Sequence, residues 1–351
     1  MNLSIHSIAV GISPIDDSIH LLYDMHAYSK NKYPDDYFNY CYSVDGAALV
    51  NDENWNIALF YPKQNYLRAG SDYQRITYPA FMTTPSGLLV TKYRIGGHTY
   101  AKMVLNSYDG VSWTAPKVWN KQPYNDKYGV YGGFSVHQGK FHMCFSRRTN
   151  EDINKGYRYN RGIYYASTKD ESYESKWFNL NGEEKQSLPI SSIDNLHLFD
   201  PSQPGDNYHA PNFILTQDES THFIAKLIRN LKSHNVHYYK TKNETIFQES
   251  IIENTGNLRS VQGNFITIKN KIYLVTLHLG RPVIFMTNAG ASDFQLVYYD
   301  PVGQVYRHAK TSVWIEGGKF FHLYLFALAI NERSDRHPIE VLHFLLTDEE
   351  S

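Results

Sequence analysis

One strand pattern recurs along the whole chain and limits the folds open to it. Six segments share one form, an apolar or aromatic run closing on Ser or Thr near an acidic or amide residue. They span 38–45, 103–109, 163–170, 236–243, 283–288 and 341–348. Their Ser/Thr positions, 43, 107, 167, 241, 287 and 347, step by about 61 residues, a little above the ~40–50 of common propeller blades. A second apolar stretch precedes each, often entered through a glycine turn: 18–26, 87–94, 139–148, 220–229, 271–278 and 318–326. Before these, a further strand is predicted to begin near His6, Tyr78, Tyr131, His209, Gln262 and His308. A fourth strand carrying Trp55, Trp113 or Trp177 is predicted in some units.

The repeat unit is therefore a three- or four-stranded antiparallel meander, and helical periodicity is scarce. Such a unit cannot bury both of its faces alone, and radial packing of successive units solves that problem. The expected fold is all-β, a β-propeller of four-stranded antiparallel blades, six of them visible. No linker or low-complexity stretch divides the chain, so residues 1–351 are expected to form one propeller domain.

Bulk chemistry narrows the partners. The formal net charge is −1 over 351 residues, with no basic stripe, so no nucleic acid is expected. No apolar run approaches the ~20 residues of a membrane span, so no membrane partner is expected either. The two cysteines, Cys41 and Cys144, have no ligand at zinc-finger spacing and form no disulfide framework. Both are expected to be free and buried. The first residues have neither the basic start nor the apolar core of a signal peptide. Nothing in the composition bears on the oligomeric state.

In a propeller, the start of the first strand and the end of the second in each blade meet at one mouth of the channel. In this chain those positions are His6, Tyr78, Tyr131, His209, Gln262 and His308, and then His26, Arg94, Arg147 with Arg148, Arg229 and His278. The plainer reading of any one of them is a structural or solvated polar group, because such channels are wet. Imidazoles, phenols and guanidiniums gathered at one end make the stronger case for a site. The set is rich in cations and poor in carboxylates, which disfavours ordinary glycoside hydrolysis. β-Elimination from a uronate suits it better. Arg neutralises and grips the carboxylate in bidentate fashion, while His and Tyr move the C5 proton and protonate the departing O4.

Three stretches carry a family resemblance: 5–12 with 19–26, 75–81 with 93–97, and Tyr131 with 139–148. Over about residues 3–178 the chain resembles the BNR-4-type propeller lyases, which include the ulvan lyases of polysaccharide lyase families 24, 25 and 40. Beyond that the likeness is mostly repeat-like, with 208–211 a weaker echo. The 107–113 segment also resembles a shortened Asp-box, the turn between outer strands of sialidase-like blades.

The resemblance implies that His6, His26, Tyr78 and Arg94 are catalytic. Arg94 would neutralise the uronate carboxylate, Tyr78 would sit near C5 and O4, and His26 or His6 would complete the proton pair. Tyr131, Arg147, Arg148, His209 and His308 are expected to bind substrate. The implied partner is an acidic polysaccharide, sulfated and ulvan-like in the named example. No cofactor is expected; some members carry a structural zinc, and no residue here places a metal. The resemblance also implies seven blades and a secreted or periplasmic location. This chain departs from it at Ser7, where members usually have Asn. Two further readings stand beside the lyase, a non-catalytic glycan-binding propeller and a sialidase-like glycoside hydrolase.

Overall fold

Short β-rich stretches broken by turn residues leave antiparallel neighbours as the simplest pairing, since a tight turn returns the chain beside itself. The computed structural model bears this out at every repeat. It describes residues 8–121, 128–154, 160–184, 187–200, 206–229, 232–252, 264–268, 270–288, 294–316, 320–329 and 339–347. Among the described residues there are six sheets, each built around consecutive antiparallel strands. They are blades of β-propeller type, as the repeat predicts. The seventh blade implied by the resemblance has no counterpart among the described residues. The chain divides into two compact units, Met1–Asp200 and Pro201–Ser351, with three sheets in each.

In the first unit, sheet one holds β1 (Ala9–Ile12), β2 (Ile19–Leu22) and β3 (Tyr40–Tyr42). Sheet two holds β4 (Ile76–Thr83), β5 (Leu89–Gly96), β6 (Ala101–Tyr108) and β7 (Lys117–Val118). Sheet three holds β8 (Gly129–His137), β9 (Lys140–Arg148), β10 (Arg161–Thr168) and β11 (Trp177–Phe178), with β12 (His197–Phe199) pairing with β10. Alternate side chains of neighbouring sheets meet in two cores. Leu22, Phe38 and Tyr40 of the first sheet region pack with Tyr73, Ile76 and Tyr93 of the second. Val90, Met103 and Leu105 of sheet two pack with Trp119, Phe134, Phe145 and Trp177 around sheet three.

In the second unit, sheet four holds β13 (Asn207–Leu215), β14 (Thr221–Arg229), β15 (Lys232–Lys240) and β16 (Gln248–Ile252). Sheet five holds β17 (Asn264–Ile268), β18 (Lys271–His278), β19 (Arg281–Asn288) and β20 (Gln295–Tyr299). Sheet six holds β21 (Tyr306–Glu316), β22 (Phe320–Ala329) and β23 (Ile339–Thr347). Val275, Leu277 and Ile284 of sheet five pack with Phe321, Leu323 and Leu325 of sheet six.

The fourth strands differ from expectation in two places. Trp55 follows a 3-10 turn, half-exposed, and no strand forms around it. Trp113 makes only an isolated antiparallel bridge, to Tyr108, and belongs to no strand. The Asp109 carboxylate accepts the Val111 and Ser112 backbone N–H groups at 2.9 and 2.7 Å, which closes the turn and drops Trp113 into the core. The fourth strand then forms at Lys117–Val118. Trp177 does open β11 as expected. Both cysteines are free; Cys144 is buried and Cys41 only half-buried, its thiol donating to the Tyr61 carbonyl at 3.1 Å. No helix among the described residues is long and apolar enough to cross a membrane.

Candidate active site

The site grows from one irregularity in β4. The register of β4 against β5 shifts between Thr77 and Ala80. Pro79 has no N–H to give the ladder, and proline within a sheet is confined to edges and bulges. The bulge re-aims the residue before it. Tyr78 has φ +54, in the left-handed region, where a bulky residue costs about 1–3 kcal/mol. Its side chain leaves the sheet and stands 46% exposed, between the buried Thr77 and Pro79.

His26 is brought alongside by a short extra pairing. Its backbone bridges Thr77, and Ala27 N–H donates to the Ile76 carbonyl at 2.8 Å. Buried Met25 anchors the segment on one side, and Ala27 turns with φ +57 on the other. The exposed His26 ring lies 6.0 Å from the Tyr78 ring, close to perpendicular at 75°.

Arg94 stands opposite Thr77 across the β4–β5 ladder. Strand alternation sends its neighbour Tyr93 into the core, where the phenol donates to Asn106, and sends Arg94 to the other face. Only 5% of Arg94 is exposed. Its guanidinium donates to the Thr77 hydroxyl at 3.3 Å, the Gly97 carbonyl at 2.5 Å and the Tyr131 hydroxyl at 3.2 Å. It also lies over two phenol rings, 4.3 Å from the Tyr131 centroid and 5.6 Å from that of Tyr78. Its Nε has no hydrogen-bond partner among the described residues. None of its contacts there is a carboxylate. Burial draws this guanidinium below its ordinary pKa; the two phenols oppose that shift and Arg148 adds to it.

Tyr131, on β8, joins two cations. Arg148 lies 4.3 Å from the ring centroid and donates to its hydroxyl at 3.2 Å, while its Nε donates to Asn160 at 3.0 Å. The Tyr131 hydroxyl itself donates to the His98 carbonyl at 3.1 Å. Arg147 points away from this group. It is next in the strand, pairs with Arg161 on β10 and lies 5.9 Å from the Tyr164 ring.

Of the residues singled out from sequence, the structure thus brings together His26, Tyr78, Arg94, Tyr131 and Arg148, and leaves Arg147 outside the cluster. His6 and Gln262 lie outside the described residues. His209 and His308 fall on β13 and β21 of the second unit, and their side chains are likewise outside what is described. Arg229 pairs with Asp206 at 2.8 Å. Sequence reasoning missed the backbone acceptors Gly97 and His98, and the side chains Thr77 and Asn160. Only the Gly96-Gly97 pair hinted at a special turn there. Among the described residues, no group of three His, Cys, Asp or Glu side chains is placed to hold a metal.

An anion with nearby proton carriers is what such a cluster can serve. A buried cation held, among the described residues, by neutral oxygens and aromatic faces has no counter-charge there. The Tyr78 phenol beside it, with the His26 imidazole against the Tyr78 ring, provides groups that can accept and donate protons.

Comparison with known proteins agrees with this reading of the fold. The chain is 28% identical to a long-isoform ulvan lyase of an Alteromonas species, over 90% of this chain and 35% of that protein. It is 26% identical to a short-isoform ulvan lyase of Alteromonas sp. strain LOR, over 90% of this chain and 67% of that protein. It thus spans about a third of the length of the long isoforms it matches. The crystal structure of polysaccharide lyase Uly1 superposes with a TM-score of 0.82 at 27% identity, covering 97% of this chain and 77% of the other. The family model described as BNR repeat-containing family member matches residues 5–255, and the chain belongs to that family.

Proposed function

We propose that this chain is the catalytic propeller of a polysaccharide lyase that cleaves a uronate-containing, ulvan-like sulfated polysaccharide by β-elimination. The observation that carries the reading is Arg94, almost wholly buried and without a carboxylate among its described contacts. The ulvan lyase relatives support the substrate class.

In this mechanism Arg94 takes the uronate carboxylate. Neutralising it stabilises the charge that builds on that group as the C5 proton leaves. The C5–H electron pair forms the C4–C5 double bond, the C4–O4 bond breaks, and O4 leaves with a proton. Tyr78 reaches out of the sheet beside Arg94 and His26 stands next to it, so these two share the proton removal and delivery. Tyr131 and Arg148 extend the cationic surface from the carboxylate site. The unsaturated sugar produced absorbs in the ultraviolet, and hydrolysis yields no such chromophore.

The test is turnover of ulvan, alginate, pectate and glycosaminoglycans, followed by ultraviolet absorbance and by new reducing ends. Both signals should rise together on an ulvan-like substrate. A reducing end without the chromophore would replace the lyase with a hydrolase. Binding without either would replace it with a glycan-binding propeller.

A further inference from the structure

Arg94 and Tyr131 come from different sheets, yet both are held by one short turn. The turn joins β5 to β6. Its Gly97 carbonyl accepts from Arg94 and its His98 carbonyl accepts from the Tyr131 hydroxyl. Three glycines allow it. Gly96 has φ +119, and a Cβ there would lie 2.3 Å from the Tyr100 carbonyl oxygen. That same oxygen accepts the Gly97 N–H at 2.8 Å and closes the turn. A Cβ on Gly97 would lie 2.4 Å from the Tyr100 ring.

The third glycine is on the other sheet. Gly129 opens β8 without a left-handed backbone, so conformational freedom does not explain it. Space does: a Cβ there would lie 2.1 Å from the His98 carbonyl oxygen and 3.0 Å from its carbon. The obstacle is backbone, which cannot swing aside as a side chain does. Nearby, Ala101 N–H donates to the Tyr128 carbonyl at 3.0 Å, so the turn and the start of β8 are already tied together.

We propose that Gly129 is a positioning residue for the reaction, because its missing side chain seats the His98 carbonyl where it orients Tyr131, and through Tyr131 the guanidiniums of Arg94 and Arg148. The inference rests on the lyase reading for its kinetic consequence, but the seating itself does not. A misplacement of about 1 Å at a group that grips the substrate can cost about 100-fold in rate.

The experiment combines Gly129→Ala, Tyr131→Phe and the double variant, assayed on ulvan, with amide hydrogen exchange on Tyr131→Phe. Gly129→Ala should lower kcat by about 10- to 100-fold, with a smaller change in KM. The double variant should be no worse than Tyr131→Phe, because the hydroxyl that Gly129 positions is already gone. Losses that multiply in the double variant would show that Gly129 acts elsewhere and would overturn the proposal. Tyr131→Phe alone should speed exchange of the Gly97 amide, since the turn loses its outer hydrogen bond. Unchanged exchange would also overturn it, even if Gly129→Ala fails to fold. An inert parent protein would sink the lyase reading, and the exchange result would still decide the seating.

Discussion

Arg94 is expensive to keep where it is. Its charge is nearly removed from water and is answered by a threonine hydroxyl, a carbonyl, a phenol and two ring faces. Such an arrangement favours function over stability. Replacing it with methionine, Arg94→Met, should therefore lower kcat by about 100-fold or more while leaving the melting temperature unchanged or higher. Arg94→Lys should not restore activity, since an ammonium lacks the planar fork that reaches Gly97, Thr77 and a carboxylate together. Steady-state kinetics and thermal melts of both variants check this pair of outcomes. Tyr78→Phe keeps the ring, the bulge and the exposed setting but removes the hydroxyl to which we assign the proton transfer. It should lose about 100-fold or more in kcat with an unchanged melting temperature. Substantial turnover in Tyr78→Phe would move the proton chemistry to another group.

Elements place these residues by two plain rules. Alternation along a strand separates Arg148 from Arg147, so one joins Tyr131 while the other turns toward Tyr164. A bulge at Pro79 suspends alternation where Tyr78 must leave the sheet. Both rules depend on firm sheets beneath the site, and aromatic packing supplies that firmness. Trp119 is fully buried, with Phe134, Phe145 and Trp177 arranged edge-on around it at centroid distances of 5.5–5.8 Å. Its truncation, Trp119→Ala, should destabilise the first unit by about 3–5 kcal/mol, read from urea-induced unfolding.

At the scale of the whole molecule, buried histidines set the response to acid. His20 and His142 sit inside the first unit, each with a Tyr hydroxyl on Nδ1 at 2.7 Å. In the second unit His222 and His237 stack within hydrogen-bond distance, at 2.9 Å. Burial lowers these rings from the ordinary 6.5 to about 4 for His20 and His222, and to about 3 for His142 and His237. They fold neutral, whereas the unfolded chain takes up their protons near 6.5. Between about pH 6.5 and the folded values the unfolded state binds more protons, so stability falls as pH falls. Asp200, held low by His197 and Arg161, pushes in the same direction at still lower pH. Urea midpoints should decline steadily below about pH 6.5 and stay level above it; a midpoint flat to pH 4 would contradict the buried-neutral assignment.

The residues that make strands announced themselves because burial repeats with the pleat, and the repeat of six meanders was legible in the sequence. So was the chemical character of the site, since Tyr78, Arg94, Tyr131 and Arg148 fall at the strand starts and ends where a propeller gathers its polar groups. Sequence alone could not show which of two adjacent arginines turns inward, because that depends on the register of β9 against β8. Nor could it show that Trp113 leaves the strand for the core, because a turn closed by Asp109 decides it. The holding of Arg94 was also hidden. Its partners include the carbonyls of Gly97 and, through Tyr131, His98, and carbonyls are present at every residue. The close approach of the start of β8 to the His98 carbonyl, which a Cβ at Gly129 would obstruct, depends on two backbones meeting in the fold.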